Sequence, residues 1–445
     1  MKFEIDKQTL DDLAIFQNGS SNNSIFKLFD KTVTYGGADK LKEFFSNPLT
    51  DGSDIEQRLD AIRYLQTHDT GFTCDKGTCD FIEYYLEQRN KPTTVSGIRA
   101  VEKWIVYKIR GNSEYYIIQR GIEYLLQVLA QFEDFTKNNQ PEQVPELLRQ
   151  FHSSIGDIIS DKDFRPTILL AGKTKLGPMD IARADQLFRY KGYARIKVLL
   201  DIVYQLDVLI TAGIAAKTLK FTLPIIKQAD EQTLVINGIF HPLIENPVLN
   251  DIGFSFDKNV CFITGANMAG KSTFLKSVGI CAFLSQIGFP VPAAYMETSV
   301  FKGLITTINL GDNINEGNSH FYSEVLRVKH VAQKMSQSQQ VLVIFDELFR
   351  GTNVKDAYDA SLAIITAFAK VRKSFFIIST HIVEVANELT TISNIDFKYM
   401  ETTFDNDIPQ YSYKLRNGIT EERMGMWIVR NEGIVDIING FLKIE

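Results

Sequence analysis

Apolar positions in the first half of the chain recur every three or four residues. The pattern is clearest over residues 98–135 and 181–216 and predicts long amphipathic helices there. Turn-forming clusters interrupt it at Asn18-Gly19-Ser20-Ser21-Asn22-Asn23, at Asn47-Pro48 and at Asn138-Asn139-Gln140-Pro141. From about residue 229 the texture changes. Short apolar runs, Leu234-Val235-Ile236, Val260–Thr264, Val341–Phe345 and Phe375–Ser379, alternate with helical stretches. Such runs read as strands buried on both faces, and their alternation with helices predicts an α/β domain around a largely parallel sheet. Pro224 breaks the helical pattern near 221–228, so the expected division is a helical domain over 1–228 and an α/β domain over 229–445.

The run Val260–Thr264 leads directly into Gly265-Ala266-Asn267-Met268-Ala269-Gly270-Lys271-Ser272, and Thr273 continues into a helical pattern. The spacing is that of a P-loop, or Walker A sequence, G-x-x-x-x-G-K-[ST]. Strand, glycine loop and helix is the context this chemistry needs. The glycines allow a tight turn whose N–H groups face phosphate oxygens, and the helix N-terminus adds partial positive charge. Lys271 is placed to reach the β and γ phosphates of ATP, and the Ser272 hydroxyl to hold Mg²⁺. The segment Ala171-Gly172-Lys173-Thr174 repeats only the end of the motif. Thr167 stands where the first glycine belongs, so it reads as a turn.

Three further elements suit the same chemistry. The run Val341–Phe345 ends in Asp346-Glu347, a Walker B pattern: Asp346 is a candidate for the Mg²⁺ site and Glu347 for the general base that polarises the attacking water. The run Phe375–Ser379 ends in Thr380-His381, where a histidine can hydrogen-bond a γ-phosphate. Ser319 precedes a helical pattern running through Val325, Val328 and Val331, where a serine can cap the helix or bind an anion.

Composition narrows the picture only a little. The 445 residues are 44% hydrophobic and 23% charged, as in ordinary globular proteins, and the formal net charge of −6 offers no whole-chain argument for nucleic acid. The first residues lack the apolar stretch of a signal peptide, and no run of about 18 apolar residues is evident, so a cytoplasmic protein without a membrane span is expected. Of the four cysteines, Cys261 and Cys281 read as core residues and Cys74 and Cys79 as loop thiols.

Taken together, these motifs resemble the MutS family of DNA mismatch repair ATPases, within the ABC ATPase superfamily. Thr264-Gly265-Ala266-Asn267-Met268-Ala269-Gly270-Lys271-Ser272-Thr273 is similar to the family's T-G-P-N-M-[GA]-G-K-S-T. Asp346-Glu347-Leu348-Phe349-Arg350-Gly351-Thr352 resembles D-E-[IL]-x-R-G-T, Thr380-His381 the final T-H, and Ser319-His320-Phe321 the S-T-F signature. His241-Pro242-Leu243-Ile244 is similar to the H-P segment before the loop, and Leu28-Phe29-Asp30-Lys31-Thr32-Val33-Thr34 to the opening of the helical core. The resemblance implies a helical core/lever domain over 1–228 followed by an ABC-type ATPase domain over 229–445. It implies ATP and Mg²⁺ as ligands, a homodimer in which Ser319 of one subunit caps the γ-phosphate held by Lys271 of the other, and DNA as partner. No counterpart of the mismatch-reading wedge or of the connector is recognisable, so backbone-directed or branched-DNA binding is expected. Arg183, Arg189, Lys191, Arg195 and Lys197 are candidate contacts. A nucleotide-switched factor acting on a protein or structured RNA is the alternative. Three departures stand out: His320 for threonine, Phe349 for a small residue, and Pro247-Val248 where an adenine-stacking aromatic is expected.

Overall fold

The computed structural model describes residues 2–16, 23–68, 75–88, 97–110, 113–138, 142–227, 231–308, 320–337, 339–349, 351–380, 382–405, 408–420 and 431–441. The helices of the first half are α1 (Lys7–Asp12), α2 (Ile25–Phe29), α3 (Tyr35–Ser46), α4 (Gly52–Leu65), α5 (Lys76–Leu86), α6 (Gly97–Arg110), α7 (Ser113–Asn138), α8 (Glu146–Ile159), α9 (Phe164–Ile168), α10 (Pro178–Gln186) and α11 (Tyr193–Leu219). A π-helical segment, Leu187–Lys191, separates the last two. The long periodic stretches of the sequence thus resolve into α6 with α7 and α10 with α11.

The second half carries β1 (Ile225–Lys227), β2 (Leu234–Ile239), β3 (Asn250–Phe254), β4 (Val260–Thr264), α12 (Lys271–Gln286), β5 (Tyr295–Ser299), β6 (Gly303–Thr307), α13 (His320–Gln337), β7 (Val341–Phe345), α14 (Val354–Ala369), β8 (Phe375–Ser379), α15 (Val383–Leu389), β9 (Ile395–Asp405), β10 (Ile408–Asn417) and α16 (Ile434–Phe441). The main sheet has the order β10-β9-β4-β8-β7-β6, parallel except for the edge strand β10. Strands β4, β7 and β8 are buried at every position, as expected of parallel strands covered on both faces. A smaller, mostly antiparallel sheet, β1-β5-β2-β3, takes the run at Leu234.

The chain forms two compact units, and their boundary departs from the expected division at 228. One unit holds Leu28–Asn47 and Glu56–Lys217; the other holds Met1–Lys27, Pro48–Ile55 and Thr218–Glu445. The N-terminal segment joins the α/β unit because its polar groups are satisfied there. Glu4 makes a parallel bridge to Gly303 at the free edge of β6, donating from its N–H to the Lys302 carbonyl at 2.9 Å. The buried Asp12 carboxylate accepts from Thr306 Oγ1 at 2.7 Å and from the Ile308 N–H at 2.9 Å. Arg327 on α13 donates to Asp6 and, at 2.6 Å, to the Thr306 carbonyl. An otherwise bare sheet edge is thereby covered.

Two smaller expectations also change. Cys79 is buried on α5 and disulfide-bonded, not a loop thiol. Helix α11 is long and apolar enough to cross a membrane by length and composition, contrary to the sequence reading, although 67% of its apolar window is buried inside the protein, as in a core helix.

Candidate functional site

Residues 265–270 connect the buried end of β4 to the first turn of α12. Gly265 and Gly270 have φ of +141° and +97°, a region that favours glycine, and Met268 joins them at +69°. Space is restrictive as well: a Cβ on Gly270 would lie 3.0 Å from Cδ1 of Tyr413, and one on Gly265 would meet the backbone of Met400 at 3.3 Å. Ala269 is fully buried and Ala266 nearly so, which anchors the loop, while Asn267, Met268 and Ser272 face outward and Thr273 is half-buried.

Lys271 opens α12 and is 5% exposed. Its Nζ donates to the carbonyls of Gly265 at 2.8 Å and Ala266 at 3.0 Å, so the ammonium lies folded over its own loop. Burial holds its pKa below the usual lysine range, partly offset by the nearby charges of Asp346 and Glu347. Those two acids follow β7, two strands from β4 in the sheet order, and both are half-buried. Glu347 adopts φ +56° and lines the same cavity as Lys271 and Ser272.

That cavity measures about 590 Å³, within the range of sites for small organic ligands. Its floor is the 266–274 stretch. Its far wall comes from the 239–250 segment, including His241, Pro247, Val248 and Asn250, and from Met400 and Tyr413 on β9 and β10. Burial, with a smaller push from Lys276, lowers the His241 pKa to about 4, so its imidazole is neutral near pH 7. Tyr413, which the sequence places only in a closing strand, is a lining residue that sequence reasoning did not assign to the site. It sits at φ +55° in an irregular stretch of β10, and Asn250 clamps the backbone around it: Asn250 Nδ2 donates to the Tyr413 carbonyl at 2.9 Å, and the Leu415 N–H donates to Asn250 Oδ1 at 2.8 Å. No local signal marks an aromatic in an edge strand as lining a site formed by a loop two strands away.

The donor set suits a cation held jointly with a ligand. Ser272 and Asp346 supply hard oxygen atoms, and among the described residues no group of three or more His, Cys, Asp or Glu could hold a metal alone. Ser272 lines the cavity and Asp346 is near enough to act on the charge of Lys271, and hard oxygen donors of this kind suit a magnesium ion shared with phosphates. Ser319, His381 and Arg350 lie outside the described residues.

The five basic residues proposed as nucleic-acid contacts do not form one free cationic face. Arg189 is buried in an ion pair with Asp185, Nε to Oδ1 at 2.6 Å and Nη2 to Oδ2 at 2.7 Å. Arg195 pairs with Asp161 at 2.6 Å and Lys197 approaches Glu83 at 3.8 Å. Arg183 and Lys191 are exposed.

Two family profiles match the sequence: MutS domain III over residues 8–211 and MutS domain V over residues 261–439. The chain belongs to the MutS family. Similarity to individual MutS proteins agrees. The chain is 30% identical to MutS protein homolog 4 of Mus musculus over 236 residues, covering 51% of this chain and 24% of that protein. It is 30% identical to DNA mismatch repair protein spellchecker 1 of Drosophila melanogaster over 248 residues, covering 54% and 27%. With DNA mismatch repair protein MutS of Petrotoga mobilis the match is 23% identical and covers 98% of this chain and 63% of that protein. The chain therefore spans from about a quarter to just under two-thirds of these MutS relatives' length. The loop and the acid pair lie in the second matched region, whereas the cavity's 239–250 wall precedes it.

Proposed function

We propose that this MutS-family chain binds ATP with Mg²⁺ and hydrolyses it to ADP and phosphate, and that it couples this cycle to DNA in repair or recombination, as a cytoplasmic homodimer formed through the ATPase domain. The observation that carries the reading is the convergence of Lys271, Ser272 and Glu347 on one cavity floored by a loop whose glycines hold positive φ. With nucleotide bound, Lys271 would exchange its two loop carbonyls for β- and γ-phosphate oxygens, and loop N–H groups not used within the loop, as Ala269's is, would face the same anion. Ser272 and Asp346 would hold Mg²⁺, which would neutralise phosphate charge. Glu347 accepts a proton from water as the water oxygen bonds to the γ-phosphorus and the bond to the β-bridging oxygen breaks. Pro247, Val248 and Tyr413 are then the groups available to the base. Ser319 of the partner subunit and His381 are assigned to the γ-phosphate by their positions in the family motifs.

The internal pairing of Arg189, Arg195 and Lys197 favours a second reading, a nucleotide-switched assembly factor acting on a protein or structured RNA. Steady-state hydrolysis separates the two, measured alone and with homoduplex, mismatched or branched DNA at two salt concentrations, with Glu347→Gln as control. Stimulation by one DNA form, lost at high salt and absent in the variant, supports the DNA-coupled ATPase. Hydrolysis indifferent to every DNA form supports the second reading, and absence of Glu347-dependent hydrolysis overturns both.

A further inference from the structure

Ser379, the last residue of β8, is fully buried and touches three consecutive residues of the turn that follows β7. Its hydroxyl donates to Asp346 Oδ1 at 2.5 Å and accepts the Glu347 N–H at 2.9 Å, while its carbonyl accepts the Leu348 N–H at 3.1 Å. Strand β8 pairs with both β7 and β4, so Ser379 ends an interior strand of the sheet. The turn it grips is costly to hold unaided. Glu347 at φ +56° and Phe349 at +62° are both left-handed, a conformation that disfavours a residue with a Cβ.

From this geometry we infer that Ser379 is a positioning residue for nucleotide hydrolysis, its hydroxyl setting the Asp346 carboxylate and the Glu347 backbone together. The inference rests on the ATPase reading above and adds a residue to it. Asp346 Oδ1 is committed to the serine, so Oδ2 is the oxygen left for a cation or its water. The Glu347 N–H is satisfied in the left-handed conformation and has no reason to rotate away. A single hydroxyl thus sets the spacing between the group assigned to the metal and the group assigned to the water. A serine needs no rearrangement to do this, because its one proton goes to the carboxylate and a lone pair receives the amide. Alanine at this position keeps the strand and loses both bonds.

The test compares the full chain with Ser379→Ala and with the isosteric pair Ser379→Thr and Ser379→Val, which share any packing strain and differ in the hydroxyl. ATP affinity is measured with EDTA and with MgCl₂, alongside steady-state kcat and KM and thermal unfolding. Removing a hydrogen-bonding partner of a metal-site carboxylate lowers metal affinity or activity by about 10- to 100-fold. Ser379→Ala and Ser379→Val should therefore bind ATP in EDTA like the parent, lose about tenfold of the gain conferred by MgCl₂, and show kcat reduced by about 10- to 100-fold at unchanged KM. Ser379→Thr should retain more of both than Ser379→Val. A loss of thermal stability with the EDTA-to-MgCl₂ ratio and kcat intact overturns the inference and leaves the ATPase reading standing. Equal defects in the threonine and valine variants, with Ser379→Ala unchanged from the parent, do the same. A parent chain that shows no magnesium-dependent ATP binding overturns the ATPase reading itself, and the inference with it.

Discussion

The Lys271 ammonium and the Gly265 carbonyl are hydrogen-bonded at 2.8 Å, which closes the loop between β4 and α12 on itself. The contact ties together the first glycine of the motif and its lysine, and it keeps a buried cation satisfied without a carboxylate partner. The loop is therefore pre-shaped, and the charge that holds it is the one a phosphate would recruit.

Lys271→Met keeps the length of the side chain and removes the charge. ATP binding should weaken by at least about tenfold and hydrolysis fall by about a hundredfold or more, consistent with loss of a preorganised cation at a phosphate site. Titration of fluorescent nucleotide together with phosphate-release kinetics checks this. Stability supplies an independent sign. Burial lowers the pKa of Lys271 in the folded chain below its ordinary 10.5, so the unfolded chain binds more protons between the two values. Stability from this group rises with pH through that window below 10.5, and the rise should be smaller in Lys271→Met.

His241 behaves the same way at acid pH. Its folded pKa is about 4 against an ordinary 6.5. The neutral ring is fully tolerated above pH 6.5, and the stability it allows is lost as pH falls from 6.5 towards 4, up to about 3 kcal/mol. His241→Gln should flatten denaturant midpoints across that window relative to the parent. Identical slopes for the two proteins would mean that the imidazole is not held neutral by burial.

Arg189 and Asp185 form a bidentate pair at 1% and 0% side-chain exposure, and Tyr85 donates to the same carboxylate at 3.0 Å. Asp185→Ala strands a guanidinium in the helical unit and should cost about 3–5 kcal/mol. The double replacement Asp185→Leu with Arg189→Met, which removes both charges, should cost far less than the single change. Urea unfolding of the three proteins decides it. Salt-dependent DNA affinity of the double variant should match the parent, because Arg189 is not at the surface.

The sequence alone determined the features set by neighbouring residues. The glycine spacing of 265–270 permits backbone angles that other residues rarely adopt, and the loop has them. The apolar runs at 260–264, 341–345 and 375–379 are too short and too continuous for surface helices, and all three became buried strands. The acid pair after β7 and the motif order were sufficient to recognise the family. Tertiary structure alone decided which distant groups meet. Asp12 and Thr306 are 294 positions apart, and their hydrogen bond moves the N-terminal segment into the α/β unit. Ser379 reaches Asp346 across 33 positions because β8 lies beside β7 in the sheet order. Arg189 looked like its basic neighbours until the π-helical segment and Asp185 buried it. Tyr413 met Gly270 only once β10 closed the edge of the sheet. Backbone angles and strand or helix periodicity are short-range properties, readable from a few adjacent side chains. Burial and partner choice depend on which surfaces the whole chain brings together, and no local pattern encodes them.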